Sequence, residues 1–216
     1  YIVEEAVKRD ITPSPTTPTV WGLDVARMGG DRSALAKRQG QLLLEPIKTW
    51  QNKELMELVG IVMMEYEACN YSNRPTAIYV DAIGMGSGVA DRLRELDLPA
   101  VSVSVSETAS MSQKFVRLRD ELFWLTREWF ERRDCKIPDD DTLIQELTGI
   151  KYKYMSTGKL KVESKAEMKV RKQRSPDVAD AFVLTFAEQG ALAGGFTTKK
   201  WGSQNSTPKR DNSWIV

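Results

Sequence analysis

Four aspartates, Asp24, Asp81, Asp177 and Asp180, sit where the surrounding residues make a carboxylate expensive. "RSPDVADAF", Arg174 to Phe182, opens a predicted helix that runs on as "VLTFAEQ". Val178, Ala181, Phe182 and Phe186 form one stripe of it, and Ala179, Val183 and Leu184 fill most of the rest, so the helix is expected to be buried nearly all round. Asp177 and Asp180 nevertheless share a face, one turn apart. A carboxylate in such a place has to be paired or bound to a cation. Asp24 closes the apolar run "TVWGLD" and Asp81 closes "TAIYVD", each at the carboxyl end of a predicted strand.

The chain of 216 residues contains no histidine. That removes Ser-His-Asp and Cys-His catalysis, His-ligated zinc and imidazole bases, and leaves carboxylates, lysines, hydroxyls or metals held by oxygen. The two cysteines, Cys69 and Cys135, form no CxxC pair and suggest neither a disulfide framework nor a zinc site. With 41% hydrophobic and 28% charged residues the composition is that of a globular chain. No apolar run approaches the roughly 20 residues needed to cross a bilayer, and the N-terminus lacks a signal-peptide pattern.

The predicted elements bring the acids together. "TVWGLDVA" reads as a strand covered on both faces. "SALAKRQG" and "QLLLEPIKTW" form a hairpin or meander, and Leu55 to Tyr66 carries helical periodicity. "TAIYVDA" is a second buried strand, followed by "IGMGSG" and the helical "VADRLREL"; "PAVSVSVS" is a third. Phe115 to Trp129 marks a long helix, and "IKYKYMSTGKLKVES" reads as a hairpin turning at "STGK". The fold class is therefore α/β, a mixed central sheet flanked by helices with an additional basic β-hairpin. If the strands ending in Asp24 and Asp81 are parallel neighbours, both carboxylates emerge at the sheet edge where such folds place their sites. The Asp177/Asp180 helix face could pack across that edge. Together the carboxylates would repel unless divalent cations neutralised them. All-oxygen ligands select Mg²⁺ or Mn²⁺, and two ions roughly 4 Å apart suit in-line attack on a phosphodiester.

Plainer readings stand beside these. Ser175 and Pro176 read as the N-cap and first helical residue, which would let Asp177 simply complement the helix dipole, while Asp180 falls beyond the first turn. Asp24 or Asp81 alone could cap a loop, and Asp31 reads as a turn residue. The glycines after Asp81 lack the Lys-Ser/Thr of a Walker motif and read as allowing a tight turn and close packing.

Net charge is +1, but Lys151 to Arg174 holds nine Lys/Arg against two acids, a local +7 that leaves −6 elsewhere. Such a strip is either a solvated face or an attractor of polyanions. "RDITPSPTTPT", Arg9 to Thr19, reads as a linker. The expected organisation is a linker or remnant of a preceding domain over 1–19, an α/β domain over 20–190 and a flexible polar tail over 191–216.

"GLDVARMGGDRSALA", "IYVDAIGMGSGVADRL" and "VESKAEMKVRKQRSPDVADAF" resemble the three acidic segments of the nuclease domain of tailed-phage large terminases, over about Val20 to Ala187. The resemblance implies an RNase H-like fold and metal-dependent endonucleolytic cleavage of concatemeric viral double-stranded DNA during genome packaging. It implies Asp24, Asp81 and Asp180 as catalytic metal ligands, Asp177 as an auxiliary ligand, and two Mg²⁺ or Mn²⁺ ions. As partners it implies DNA, an N-terminal ATPase motor of the same polypeptide, and the portal and small terminase subunit, with the host cytoplasm as the location. On that reading Lys151, Lys153, Lys159 and Lys161 of the hairpin face DNA, and Lys165, Lys169, Arg171, Lys172 and Arg174 continue the track. The rivals are a junction resolvase or recombinase-type nuclease, a nucleotide-binding domain of the sugar-kinase or actin type, and a catalytically silent docking domain of the packaging motor.

Overall fold

The computed structural model describes residues 2–26 and 30–188, so the tail expected over 191–216, with Trp201 and Trp214, lies outside the described residues. Chain order is α1 (Ile2–Val7), β1 (Thr19–Asp24), β2 (Arg32–Gln39), β3 (Leu42–Leu43), β4 (Lys48–Gln51), α2 (Leu55–Glu67) and β5 (Ala77–Asp81). It continues through α3 (Gly86–Glu95), β6 (Ala100–Val103), α4 (Leu118–Glu131), α5 (Asp141–Gly149), β7 (Tyr152–Tyr154), β8 (Leu160–Val162), α6 (Lys165–Val170) and α7 (Asp177–Leu184).

The main sheet is mixed, in the order β3-β2-β1-β5-β6 with β4 also on β2; β7 and β8 form a separate two-stranded sheet. β1 runs antiparallel to β2 and parallel to β5, with Leu23 opposite Val80, and β5 runs parallel to β6. One further step along that register sets Asp24 beside Asp81. All six residues of β1 are buried because helices cover both sheet faces, and alternate residues feed two cores. Trp21, Leu23, Ile78 and Val80 pack with Leu58 and Val62 of α2 and Val89 and Leu93 of α3. Val20, Ala34, Ala36 and Tyr79 face the other way, against Phe182 of α7, Phe186 just beyond its end, and Trp129 and Phe130 of α4. These four aromatic rings pack edge to face, with Trp129–Phe182 and Phe182–Phe186 centroids both 5.5 Å apart. A smaller cluster of Phe115, Leu160 and Val162 anchors the hairpin.

Two glycines set the distance between site-bearing elements. A Cβ on Gly22 would lie 2.1 Å from the Ala181 carbonyl oxygen, so only glycine lets α7 lie this close across β1. A Cβ on Gly86 would lie 1.7 Å from the Asp81 carbonyl oxygen, so the start of α3 abuts the strand end as the glycine loop predicts.

Three local features add to or alter the sequence expectation. Within 1–19, the segment expected as a linker or remnant of a preceding domain, residues 2–7 form α1, whose Ala6 is fully buried, and Arg9 donates to the Cys135 carbonyl at 3.1 Å. α5 is an additional helix, started by Asp140, whose side chain accepts from the Thr142 and Leu143 amides. Helix α7 begins at Asp177, with Pro176 at the cap position and no side-chain cap bond, and the Ser175 hydroxyl is buried without a partner among the described residues. Ser175 is therefore not the cap. The proline lacks an N–H and takes φ −86°, ψ 55°, so Asp177 and Asp180 both fall in the first turn and both benefit from the helix dipole. Among the described residues no helix is long and apolar enough to cross a membrane.

Candidate active site

Asp24, Asp81, Asp177 and Asp180 line one cavity of about 310 Å³, at the carboxyl ends of β1 and β5 and the amino end of α7. Asp31, Arg117, Arg119, Asp120, Lys161 and Lys165 line it too. Asp24, Asp177 and Asp180 are buried and Asp81 is half-buried.

The centre is taken by Lys165. Its Nζ lies 3.0 Å from Asp180 Oδ2, 3.7 Å from Asp24 Oδ2 and 3.7 Å from Asp177 Oδ1. Three carboxylates, one from the end of β1 and two from the first turn of α7, thus converge on one positive atom. The lysine side chain is 41% exposed, so its stem reaches in from the rim. Among the described residues no three carboxylates are already close enough to chelate an ion as they stand; they are spaced about an ammonium.

Each acid is held differently. Asp81 Oδ1 accepts from the Ile83 amide at 3.1 Å. Asp177 Oδ2 accepts from the Arg32 amide at 3.0 Å, while its Oδ1 is buried with no hydrogen bond among the described residues. Asp180 Oδ1 accepts from Arg119 Nε at 3.2 Å and Nη2 at 3.1 Å, leaving Oδ2 on the cavity side. Glu146 of α5 supports the helix from behind: it accepts from the Ala179 amide at 2.8 Å and pairs with Arg32 at 3.3 Å.

Burial pushes the Asp24 carboxyl up to about 8; Lys165 pulls against that shift, while Asp180, Asp81 and Asp177 add to it. Asp81 is raised as well, mainly by burial, with the Ile83 amide opposing. Burial works against the Lys165 charge, but Asp180 and Asp24 outweigh it and hold the ammonium above its ordinary value. The site is short of positive charge, and a proton on Asp24 is one way to meet the deficit.

The predicted basic residues separate into groups. Lys151, Lys153, Lys169, Lys172 and Arg174 are exposed, Lys159 is partly so, and Lys161 lines the cavity. Lys153 pairs with Glu167 at 2.8 Å. Arg171 pairs with Glu163 and donates to the Gly149 carbonyl at 3.0 Å. Lys165 stands among the acids rather than on the outer track.

Arg119, Glu146 and Asp120 are absent from the sequence reading. Two signals for the cations were present. Arg119 and Lys165 both sit in the first turn of a helix, where the dipole disfavours positive charge, so each requires a carboxylate partner. The capping box of Ser164 and Glu167, legible as S-x-x-E, fixes α6 and therefore the start from which Lys165 projects.

The sheet order, with an antiparallel hairpin on one side of β1 and parallel strands on the other, defines an RNase H-like α/β domain carrying an added hairpin. No protein-family model matches the chain, and no curated protein matches it by sequence. Solved structures do match. The nuclease domain of the large terminase subunit gp2 of bacterial virus Sf6 has a TM-score of 0.68 at 18% identity, covering 85% of this chain and 95% of that one. A mutant of the same domain, solved with manganese and beta-thujaplicinol, gives 0.70 at 17%, over 85% and 95%. The large terminase nuclease from thermophilic phage G20c with bound magnesium gives 0.62 at 14%, over 87% and 95%. At these identities the likeness is one of fold: this chain has the fold of large-terminase nuclease domains.

Proposed function

We propose that this chain is a metal-dependent endonuclease that cuts concatemeric viral double-stranded DNA during genome packaging, as the nuclease part of a large terminase subunit. One observation carries the reading: Asp24, Asp177 and Asp180 converge on a single cation, Lys165 Nζ, in a cavity that Asp81 also lines. A cluster that needs positive charge at its centre, built only from oxygen donors, is suited to hard divalent ions. Asp177 Oδ1, buried without a hydrogen bond among the described residues, is a donor site for the same purpose. Structures of the same fold solved with manganese and with magnesium support the choice of ion.

Asp24, Asp81 and Asp180 would be the principal ligands of Mg²⁺ or Mn²⁺, with Asp177 auxiliary. Two such ions would supply what the side chains lack, a way to ionise water near neutral pH and to offset charge on the leaving oxygen. The chain's own part is positioning. The strand ends carry Asp24 and Asp81, Arg119 fixes one oxygen of Asp180, and the Arg32 amide fixes one oxygen of Asp177. Lys165, if displaced outward along its half-exposed stem, would remain at the rim, where its charge would meet a phosphate oxygen. Lys161 extends that charge from the wall of the cavity, and Lys151, Lys153, Lys159, Lys169, Arg171, Lys172 and Arg174 form the outer track for the DNA backbone. In a packaging motor the domain would work beside an ATPase domain of the same polypeptide, with the portal and small subunit, in the host cytoplasm.

Supercoiled plasmid incubated with the protein and Mg²⁺ or Mn²⁺ tests this. Nicking or linearisation is expected, lost with chelator and lost in Asp81→Asn. Equal cleavage by Asp81→Asn, or cleavage that survives chelation, contradicts the reading, and a strong preference for four-way junctions over duplex would move it to a resolvase.

A further inference from the structure

We propose that Arg119 is a positioning residue that sets the ion affinity of the site by fixing the Asp180 carboxylate against the base of the hairpin. This rests on the metal-nuclease reading above, in which Asp180 is an ion ligand.

Arg119 belongs to the first turn of α4, an element that contributes no acid to the central cluster. Its guanidinium is mostly buried, with a side-chain exposure of 16%. Nε and Nη2 both reach Asp180 Oδ1, at 3.2 and 3.1 Å, and Nη1 donates to the Glu163 carbonyl at 2.9 Å. Glu163 is the residue immediately after β8, so the arginine links the metal-side helix α7 to the foot of the hairpin. The underside of the guanidinium rests on the Phe123 ring, 4.6 Å from its centroid. The next residue strengthens the same joint, since Asp120 Oδ1 accepts from the Val162 amide at 2.9 Å.

A guanidinium is planar and rigid, so its donors to Oδ1 and to a main-chain carbonyl determine the rotation of the carboxylate as well as its position. With Oδ1 engaged, Oδ2 is the oxygen that faces Lys165 and the cavity. Such partners behind a ligand typically change metal affinity by about 10–100-fold when removed. A lysine at 119 keeps the charge and loses the fork, so it separates geometry from electrostatics.

The test compares wild type with Arg119→Lys, Asp180→Asn and the double variant, using the 216-residue chain. Mn²⁺ binding is measured by titration calorimetry without DNA, thermal melting confirms folding, and cleavage of duplex DNA is resolved into kcat and KM across Mn²⁺ concentration. Arg119→Lys is expected to weaken Mn²⁺ binding about 10-fold or more, to keep the KM for DNA within about 2-fold, and to recover kcat as Mn²⁺ is raised. In the Asp180→Asn background the same substitution should cause no further loss. Wild-type Mn²⁺ affinity in Arg119→Lys, or an equal loss in both backgrounds, overturns the proposal. If wild type itself binds no Mn²⁺, the ligand reading fails first, and that outcome is visible in the same experiment. Should Arg119→Lys not fold, Phe123→Leu removes the ring beneath the guanidinium while leaving every charge in place. It is expected to weaken Mn²⁺ binding in the same direction by a few-fold, and unchanged affinity in that variant would count against the link.

Discussion

Lys165 Nζ stands 3.0 Å from Asp180 Oδ2, on the opposite side of that carboxylate from the arginine that grips Oδ1. An ammonium in the middle of three acids occupies the region an ion would need. Lysine and divalent cation are therefore competitors for the same oxygens. Replacing Lys165 with Met, which keeps the stem and removes the charge, is expected to tighten Mn²⁺ binding by roughly tenfold, about 1.4 kcal/mol. Calorimetric titration checks this, and weaker Mn²⁺ binding in the variant would show that the lysine assists the ion instead.

Glu146 predicts a pH dependence of folding. Burial pushes its carboxyl up to about 7, with Asp177 adding to the shift and the Ala179 amide and Arg32 opposing it. Its folded value lies above the unfolded 4.5, so the folded state binds the extra proton between these values. Stability associated with Glu146 is then greatest below pH ~4.5 and falls as pH rises through about 7, by an amount on the order of 3 kcal/mol. In Glu146→Gln that decline should be absent, because the amide still accepts from Ala179 without carrying charge. Urea unfolding at a series of pH values measures it, and an unchanged slope in the variant would refute the assignment.

The basic track predicts a salt dependence. Binding through phosphates gives a log–log slope against salt of about −0.9 per phosphate neutralised. Lys151→Ala and Lys172→Ala, both at exposed positions, should each reduce the slope by about one and weaken binding alike for unrelated duplex sequences. Fluorescence anisotropy in chelator, so that no cleavage occurs, reads this directly. A flat salt profile would remove the track from the DNA interface.

What the sequence made legible was where the acids had to be. Runs apolar on both faces identify β1 and β5 as covered strands, and their shared C-terminal edge follows from parallel pairing, which the register of Leu23 with Val80 bears out. The all-round apolar character of α7 likewise announced its burial, and all eight of its residues are buried. What stayed hidden was pairing. Periodicity reports that Asp180 is buried but carries no information on which cation meets it, and Lys165 looked like one more member of a basic run. Arg119 was masked because the surrounding Leu118, Leu122 and Leu125 dominate the helical pattern. The α7 boundary failed for a local reason: Ser-Pro before an acid is a common helix start, but here the proline backbone stays outside the helix and the serine side chain turns inward.

The claim on which the account depends is that Asp24, Asp81 and Asp180 can close around divalent cations. Anomalous scattering from a crystal soaked in saturating Mn²⁺ tests it most directly. The account predicts density bounded by these three carboxylates, with Lys165 moved outward, and none in a crystal of Asp24→Asn. A Mn²⁺-soaked wild-type crystal with no anomalous peak in that cavity, and Lys165 still between the acids, would contradict it.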